Sequence, residues 1–117
     1  MSLFDELREL GVDVDGGLRR INNNEKLYTR LLGSFVKSID SQYVGADFDA
    51  SDVTAQIEKA HAIKGTAGNL SITPVYEAYT KVVDLLRTGQ IDEARPILEK
   101  ILPVQADIVS CIKKHME

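Results

Sequence analysis

The chain has 117 residues, of which 44% are hydrophobic and 27% are charged, and its formal net charge is −4. This composition predicts a single globular domain over residues 1–117 and excludes a largely disordered chain. The acidic balance argues against a nucleic-acid partner, because phosphate contacts require a basic surface. No apolar run approaches the ~20 residues needed to cross a bilayer, so we expect no membrane contact by this domain.

The chain contains one cysteine, Cys111. An internal disulfide and a zinc site built from cysteine pairs are therefore excluded. The expected role of Cys111 is that of a small buried apolar residue, since unpaired cysteine is among the most buried residue types. This cysteine usage favours a reducing, cytoplasmic location.

Helical periodicity predominates along the chain, and no segment alternates for long enough to predict a strand. The N-terminal residues 1–10 are acidic and amphipathic, unlike a signal peptide. Asp15 is expected to cap a short helical turn over residues 16–21. Three consecutive asparagines, residues 22–24, end that turn and supply the cap of the next helix.

The first long helix is predicted to begin at Glu25, and a loop over residues 45–49 follows it, pinned to the core by Phe48. The second long helix opens at Ser51 or Asp52 and runs to about Asn69. The residues predicted to face inward are Tyr28, Leu31, Leu32, Phe35, Ile39 and Tyr43 in the first helix, and Val53, Gln56, Ile57, Ala60, Ile63, Ala67 and Leu70 in the second.

The third long helix is predicted to start with Thr73 as its cap and Pro74 as its first residue, and Gly89 ends it in the left-handed conformation. The fourth begins near residues 91–92. Pro96 fits in its first turn, whereas Pro103 is expected to kink or split it. The inward residues are Val75, Ala78, Tyr79, Val82, Leu85 and Leu86 in the third helix, and Ala94, Ile97, Leu98, Ile101, Leu102, Gln105, Ile108, Val109 and Ile112 in the fourth.

Four long amphipathic helices joined by short links are typical of a helical bundle. The sequence therefore predicts an all-α fold, an up-and-down antiparallel four-helix bundle. A short extra helix at the N-terminus is expected to lie across one end of this bundle.

The stretch AHAIKGTAGNL, residues 60–70, places an unusual stripe on the second long helix. At about 100° per residue, His61 lies more than a right angle away from the apolar stripe and is expected to project near solvent. Gly65 and Gly68 follow it on the same side, although each costs ~1 kcal/mol relative to alanine inside a helix. Two missing side chains would let a partner's backbone approach the imidazole, and Lys64 can reach an anion on the ring.

Histidine is suited to carrying a phosphoryl group. Its neutral ring nitrogen is a nucleophile at physiological pH, and the nitrogen–phosphorus bond is labile enough for the group to be passed on. Lys64 would pair with phosphoryl oxygens during in-line transfer, when negative charge spreads over them. The stripe therefore predicts a phosphoryl-acceptor site at His61.

The sequence His61-Ala62-Ile63-Lys64-Gly65 resembles the H-x-x-K-G motif of histidine-containing phosphotransfer (HPt) domains of bacterial two-component relays. The flanking Ala60 and the run from Ala67 to Leu70 resemble the usual surroundings of that motif. The similarity extends in order over residues 14–18, 27–35 and the helix around Ala78, and so spans most of the chain.

This resemblance implies a four-helix bundle whose second helix exposes the phosphorylated His61. The ring accepts a phosphoryl group on Nε2 from the aspartyl phosphate of a response-regulator receiver domain, and donates it to the aspartate of another. The domain would be a carrier without kinase turnover of its own. Its partners would be receiver domains and a hybrid sensor histidine kinase. The Mg²⁺ belongs to the receiver, so this chain is expected to need no cofactor or metal ion.

The chain departs from the family pattern at two places. Ser71 stands where the family usually has glycine. On the third helix, many members place a Glu or Gln that holds the histidine ring, but Val83 falls nearest that place here. Tyr79, Asp84, water or no group at all would then orient the ring. Arg87, one turn beyond Val83, is a candidate for contact with the phosphoryl group.

Two other classes of function remain open from the residues. An adaptor would bind a receiver or kinase without carrying phosphate, as the missing Glu or Gln indicates. A metal-dependent helical enzyme would need Glu-x-x-His pairs on facing helices, and only Glu58 and His61 show that spacing. His115 lies near a helix end and is assigned no function.

Overall fold

The computed structural model describes residues 2–116, and within this range the chain is entirely helical, without a strand. A 3₁₀ turn, Ala50–Asp52, leads directly into the fourth of six α-helices. The all-α prediction is confirmed. The helices are α1 (Leu3–Glu9), α2 (Val14–Arg19), α3 (Glu25–Ser41), α4 (Val53–Asn69), α5 (Thr73–Arg87) and α6 (Ile91–Met116).

Polar side chains determine where several helices begin. Asn24 accepts a hydrogen bond from the Leu27 amide at 3.0 Å, as predicted for the start of α3. The cap of α2 is Asp13, which accepts from the Gly16 amide at 3.1 Å, so the prediction of Asp15 is wrong. Asp15 lies within the first turn instead, and its carboxylate pairs with Arg8 at 2.9 Å.

The starts of α4 and α5 lie close to the predicted ones. Asp52, one of the two residues predicted to open α4, is its N-cap residue, although its side chain makes no capping hydrogen bond. It also ends the 3₁₀ turn, which Asp49 caps by accepting from the Ser51 amide at 2.9 Å. Thr73 is the first residue of α5 rather than its cap, and its hydroxyl donates to the Ser71 carbonyl at 3.2 Å. The start of α5 is thus shifted by one residue, within the range over which the ends of helices are least well determined by sequence.

The prediction for Tyr43 is wrong, and of the kink or split predicted at Pro103 the split does not occur. Helix α3 ends at Ser41, so Tyr43 lies outside it with 52% of its surface exposed, and Val44 is buried nearby. Helix α6 is not split at Pro103 but runs unbroken from Ile91 to Met116. Pro103 is exposed, and buried residues of α6 on both sides of it anchor the helix although one backbone hydrogen bond is lost.

The core is formed by the inward faces of the long helices together with the N-terminal segment. Helix α4 packs against α5, α5 against α6, and α3 against both α4 and α6, while α1 lies on α6. None of the described helices has the length and apolar character that a bilayer-spanning segment requires. The largest fully buried side chains include Leu7, Tyr28, Leu32, Phe35, Ile63, Ile72, Tyr79, Leu98, Ile108 and Ile112.

A buried hydrogen bond joins α5 to α6 within this core. The Tyr79 hydroxyl donates to the Gln105 carboxamide oxygen at 2.7 Å, and the two residues are 0% and 2% exposed. Burial raises the pKa of the Tyr79 hydroxyl, so it stays a protonated donor at any physiological pH. Gln105 is thus buried, as the periodicity predicts, and the bond satisfies its carboxamide oxygen there.

The segment from Val12 to Arg20 is fastened to the turn between α4 and α5. The Asp13 amide donates to the Ser71 carbonyl at 2.9 Å, and the Tyr28 hydroxyl donates to the Leu70 carbonyl at 2.7 Å. At Gly17, a Cβ atom would lie 2.7 Å from the Leu70 carbonyl oxygen, so only glycine permits this approach. Helix α2 is thereby held beside the C-terminal end of α4.

Helix α1 is fastened to the C-terminal end of α6 through one carboxylate. Glu6 contacts Lys114 Nζ at 2.7 Å through Oε1 and His115 Nε2 at 2.5 Å through Oε2. Hydrogen bonds from Lys114 and then His115 lower the pKa of Glu6 to about 2. The ionised carboxylate is therefore the form that holds the two ends of the chain together.

The Tyr79–Gln105 bond gives a first prediction. Tyr79→Phe leaves the Gln105 carboxamide buried without its partner, and we expect the free energy of unfolding to fall by about 1–3 kcal/mol. Urea denaturation measures this loss. The matched control is Tyr43→Phe, at an exposed tyrosine, where the change should stay within about 0.5 kcal/mol. Equal effects of the two substitutions would contradict the role of the buried bond.

The Glu6 carboxylate gives a second prediction. Because its pKa in the folded protein lies below the ordinary value of 4.5, its stabilising effect is present above that pH and is lost as the pH falls toward about 2. Glu6→Gln should therefore destabilise the protein near neutral pH, and most of this effect should be lost by about pH 2. Urea midpoints measured across this range test it, with Glu9→Gln on the same helix as the control. A destabilisation that does not change with pH would contradict it.

Candidate functional site

His61 lies on the outward side of α4, as the periodicity predicts. Ala60, Ile63 and Ala67 form the inward side of this helix and are 0% exposed, whereas His61 is exposed. Within residues 2–116, the one histidine ring that forms a hydrogen bond is that of His115, with Glu6. The His61 imidazole is therefore accessible to solvent, and both ring nitrogens lack a protein partner in the described part of the chain.

The imidazole borders a groove of about 480 Å³ at the junction of α2, α4 and the start of α5. Lys64 is half-buried and enters no ion pair with another residue in the range 2–116. Its ammonium group is thus available for an external anion. The groove is lined by residues that include Arg20, His61, Lys64, Gly65, Gly68 and Tyr76.

The two glycines beside His61 have different surroundings. A Cβ atom built on Gly65 would meet nothing within 4 Å, so no packing contact requires glycine there. A Cβ atom on Gly68 would lie 2.9 Å from the ring of Tyr76, so close packing of α4 on α5 accounts for this glycine. Packing therefore does not account for Gly65, whereas Gly68 has a structural reason of its own.

This contrast gives a third prediction. Gly65→Ala should raise the free energy of unfolding by about 0.5–1 kcal/mol, because alanine favours the helix and its methyl group meets no neighbour. Gly68→Ala should gain less or lose stability, because the Tyr76 ring must move. Urea denaturation of both variants compares them directly. A destabilised Gly65→Ala would indicate a packing role for Gly65.

Arg20 is a residue of this groove that sequence reasoning missed. It follows α2 directly, and its guanidinium donates a hydrogen bond to the Gly68 carbonyl of α4. This contact joins groups 48 positions apart in the chain, so helical periodicity contains no signal for it. The structure thus brings a second cation to the groove that holds His61 and Lys64.

Arg87, in contrast, does not line the groove. It is the exposed last residue of α5. Val83, which stands nearest the place of the family's Glu or Gln, is 0% exposed. Of the two side chains that are candidates for holding the ring, Tyr79 has its hydroxyl committed to Gln105. Asp84 is exposed and lies outside the groove. Within the described residues, no side chain orients the His61 ring.

Ser71 adopts the conformation that glycine favours. Its φ angle is +55°, in the left-handed region, and it is 9% exposed at the turn between α4 and α5. A non-glycine residue in this region is strained by about 1 kcal/mol. The turn therefore keeps a shape suited to glycine, and its carbonyls hold Asp13 and Tyr28 in place.

The Glu58 and His61 pair is part of no potential metal cluster. In the range 2–116, the cluster of three ligating side chains consists of Glu6, Cys111 and His115, and none of them lines the groove. The groove instead presents an accessible imidazole beside two cationic groups, Lys64 and Arg20. This combination can attach an anionic group to a nucleophilic nitrogen and neutralise its charge.

Comparisons of the chain with family models, curated proteins and solved structures find no match.

Proposed function

We propose that this chain is a phosphorelay intermediate in which His61 accepts a phosphoryl group from a receiver-domain aspartyl phosphate and passes it to another receiver aspartate. The chain acts as a carrier and has no kinase activity of its own. Its partners are response-regulator receiver domains, with a hybrid sensor histidine kinase as a further source of the phosphoryl group. The receiver supplies the Mg²⁺ of the reaction.

The accessibility of His61 beside Gly65 is the observation that carries this proposal. An in-line displacement needs the nucleophile, the phosphorus atom and the leaving oxygen in one line, so another protein must approach the ring closely. The open space over Gly65 provides room for that approach. A helix that keeps an unfavourable glycine with no packing contact beside an exposed imidazole is best explained by such docking.

Each transfer is an exchange of one bond to phosphorus for another at His61. A neutral ring nitrogen of His61 attacks phosphorus, the bond from phosphorus to the aspartate oxygen breaks, and the receiver carboxylate leaves as the anion. The other ring nitrogen releases its proton to solvent. The reverse steps return the phosphoryl group to a second aspartate. Lys64 is adjacent to the ring at i+3 and pairs with the phosphoryl oxygens.

Arg20 extends this electrostatic role. The Gly68 carbonyl accepts one hydrogen bond from its guanidinium, and the other N–H groups form no hydrogen bond with the described residues, so they remain as donors for a ligand. Two cations in a groove of about 480 Å³ favour an anionic ligand over a neutral one. The groove is also lined by Asp13, whose negative charge can pair with a basic side chain on the receiver surface.

We further propose that α3, α4, α5 and α6 form the up-and-down antiparallel four-helix bundle expected for this class of carrier. The cyclic packing of α3 on α4, α4 on α5, α5 on α6 and α6 on α3 supports it. Helices α1 and α2 are then additions, with α1 on α6 and α2 beside the groove. Residues 1–117 form one domain in this proposal.

A second candidate function is that of an adaptor which binds a receiver or kinase without carrying phosphate. The lack of a ring-orienting side chain among the described residues favours it, since an unheld imidazole is a less well positioned nucleophile. The adaptor and the carrier use the same groove. Only the presence of a covalent phosphohistidine distinguishes them.

Transfer of label provides the fourth prediction. Purified receiver domains of the source organism are loaded with radioactive phosphoryl groups and mixed with the chain. The wild type should acquire acid-labile, alkali-stable label and return it to an unlabelled receiver. His61→Gln should acquire none, because the amide is not a nucleophile toward phosphorus.

His115→Gln is the matched control, since it removes the second of the two histidines. It should be labelled as fully as the wild type. Label of equal yield on His61→Gln would refute the carrier. No label on the wild type, together with receiver binding that is unchanged in His61→Ala, would establish the adaptor in its place.

A further inference from the structure

A second group of reactive side chains lies where the C-terminal end of α6 meets α1. Donor atoms of Glu6, Cys111 and His115 all lie within 4.8 Å of one another. Cys111 and His115 are four residues apart on α6 and therefore project from the same face. Glu6 reaches them from α1. The phosphorelay proposal uses none of these three residues.

The distances fit the first coordination sphere of a metal ion. In a tetrahedral zinc site, bonds of about 2.3 Å to sulfur and about 2.0 Å to a carboxylate oxygen place these two ligand atoms about 3.5 Å apart. Cys111 Sγ lies 3.5 Å from Glu6 Oε2. His115 Nε2 lies 2.5 Å from the same oxygen, which is shorter than an ordinary hydrogen bond. A rotation of the exposed His115 side chain opens this pair by the remaining ~1 Å.

We propose that Glu6, Cys111 and His115 bind a zinc ion that links α1 to α6, with water as the fourth ligand. Thiolate, imidazole and carboxylate together form a donor set that zinc accepts and that magnesium and calcium do not. A pocket of about 340 Å³ adjoins Glu6 and Cys111 and is walled in part by Glu9 and Asp107. It provides an acidic entry path for the cation and space for the water.

The surroundings of Glu6 support this role. Lys114 Nζ binds the other carboxylate oxygen, Oε1, at 2.7 Å, so it orients the carboxylate and leaves Oε2 toward the ion. Zinc displaces the proton of the Cys111 thiol and the proton shared by His115 and Glu6, and both pass to solvent.

The fifth prediction tests this site with Co²⁺ as a spectroscopic probe of zinc binding. The full chain, reduced and without an affinity tag, is titrated with Co²⁺ and then with Zn²⁺. We expect a sulfur-to-cobalt charge-transfer band and tetrahedral ligand-field bands that saturate at one equivalent. One equivalent of Zn²⁺ should remove them. Absence of the charge-transfer band would overturn the proposal.

The two histidines again provide matched variants. His115→Gln should weaken zinc binding at least about tenfold, whereas His61→Gln should bind zinc like the wild type. Cys111→Ser should abolish the charge-transfer band. Circular dichroism confirms that each variant is folded. If Cys111→Ser does not fold, His115→Gln, at an exposed position, still tests the site. Unchanged zinc affinity in His115→Gln would refute the site and leave phosphotransfer at His61 unaffected.

Discussion

Burial of one face of α4 is the constraint on which the rest of this structure depends. Ala60, Ile63 and Ala67 are completely buried, and the helix pitch then determines the direction of every other side chain on α4. His61 and Gly65 must face outward once these three face inward. The small alanine side chains also let α5 pack closely along the helix. The position of the His61 imidazole is thus a consequence of core packing.

The N-terminal segment converts this exposed face into a groove. Helix α2 approaches the α4–α5 turn so closely that Gly17 contacts a backbone carbonyl and the Tyr28 ring. That approach brings Asp13 and Arg20 beside the C-terminal half of α4. A site with one cation from its own helix thereby gains a second from a distant part of the chain. The packing of α2 on the α4–α5 turn therefore stabilises the fold and also brings the second cation to the groove.

The two histidines show how surroundings determine chemistry. His61 stands beside open space and a lysine that enters no ion pair in the described chain, an arrangement that favours nucleophilic attack on a partner. His115 is fastened to Glu6 and lies near a buried thiol, an arrangement that favours coordination of a metal ion. Histidine therefore has a different proposed role at each of the two sites. Neither site uses a residue of the other.

The sequence by itself determined the helices, their inward faces and the exposure of His61. These features depend on contacts within one or two turns, and periodicity reports such contacts directly. Local competition misled it at α2, where Asp13 is the cap instead of Asp15, and periodicity extended the inward face of α3 too far, to the exposed Tyr43. Core packing, which periodicity does not report, keeps α6 continuous across Pro103. Tertiary structure alone decided the contact of Arg20 with Gly68 and that of His115 with Glu6. Those residues are 48 and 109 positions apart, and the packing of whole helices, which no local pattern encodes, brings them together.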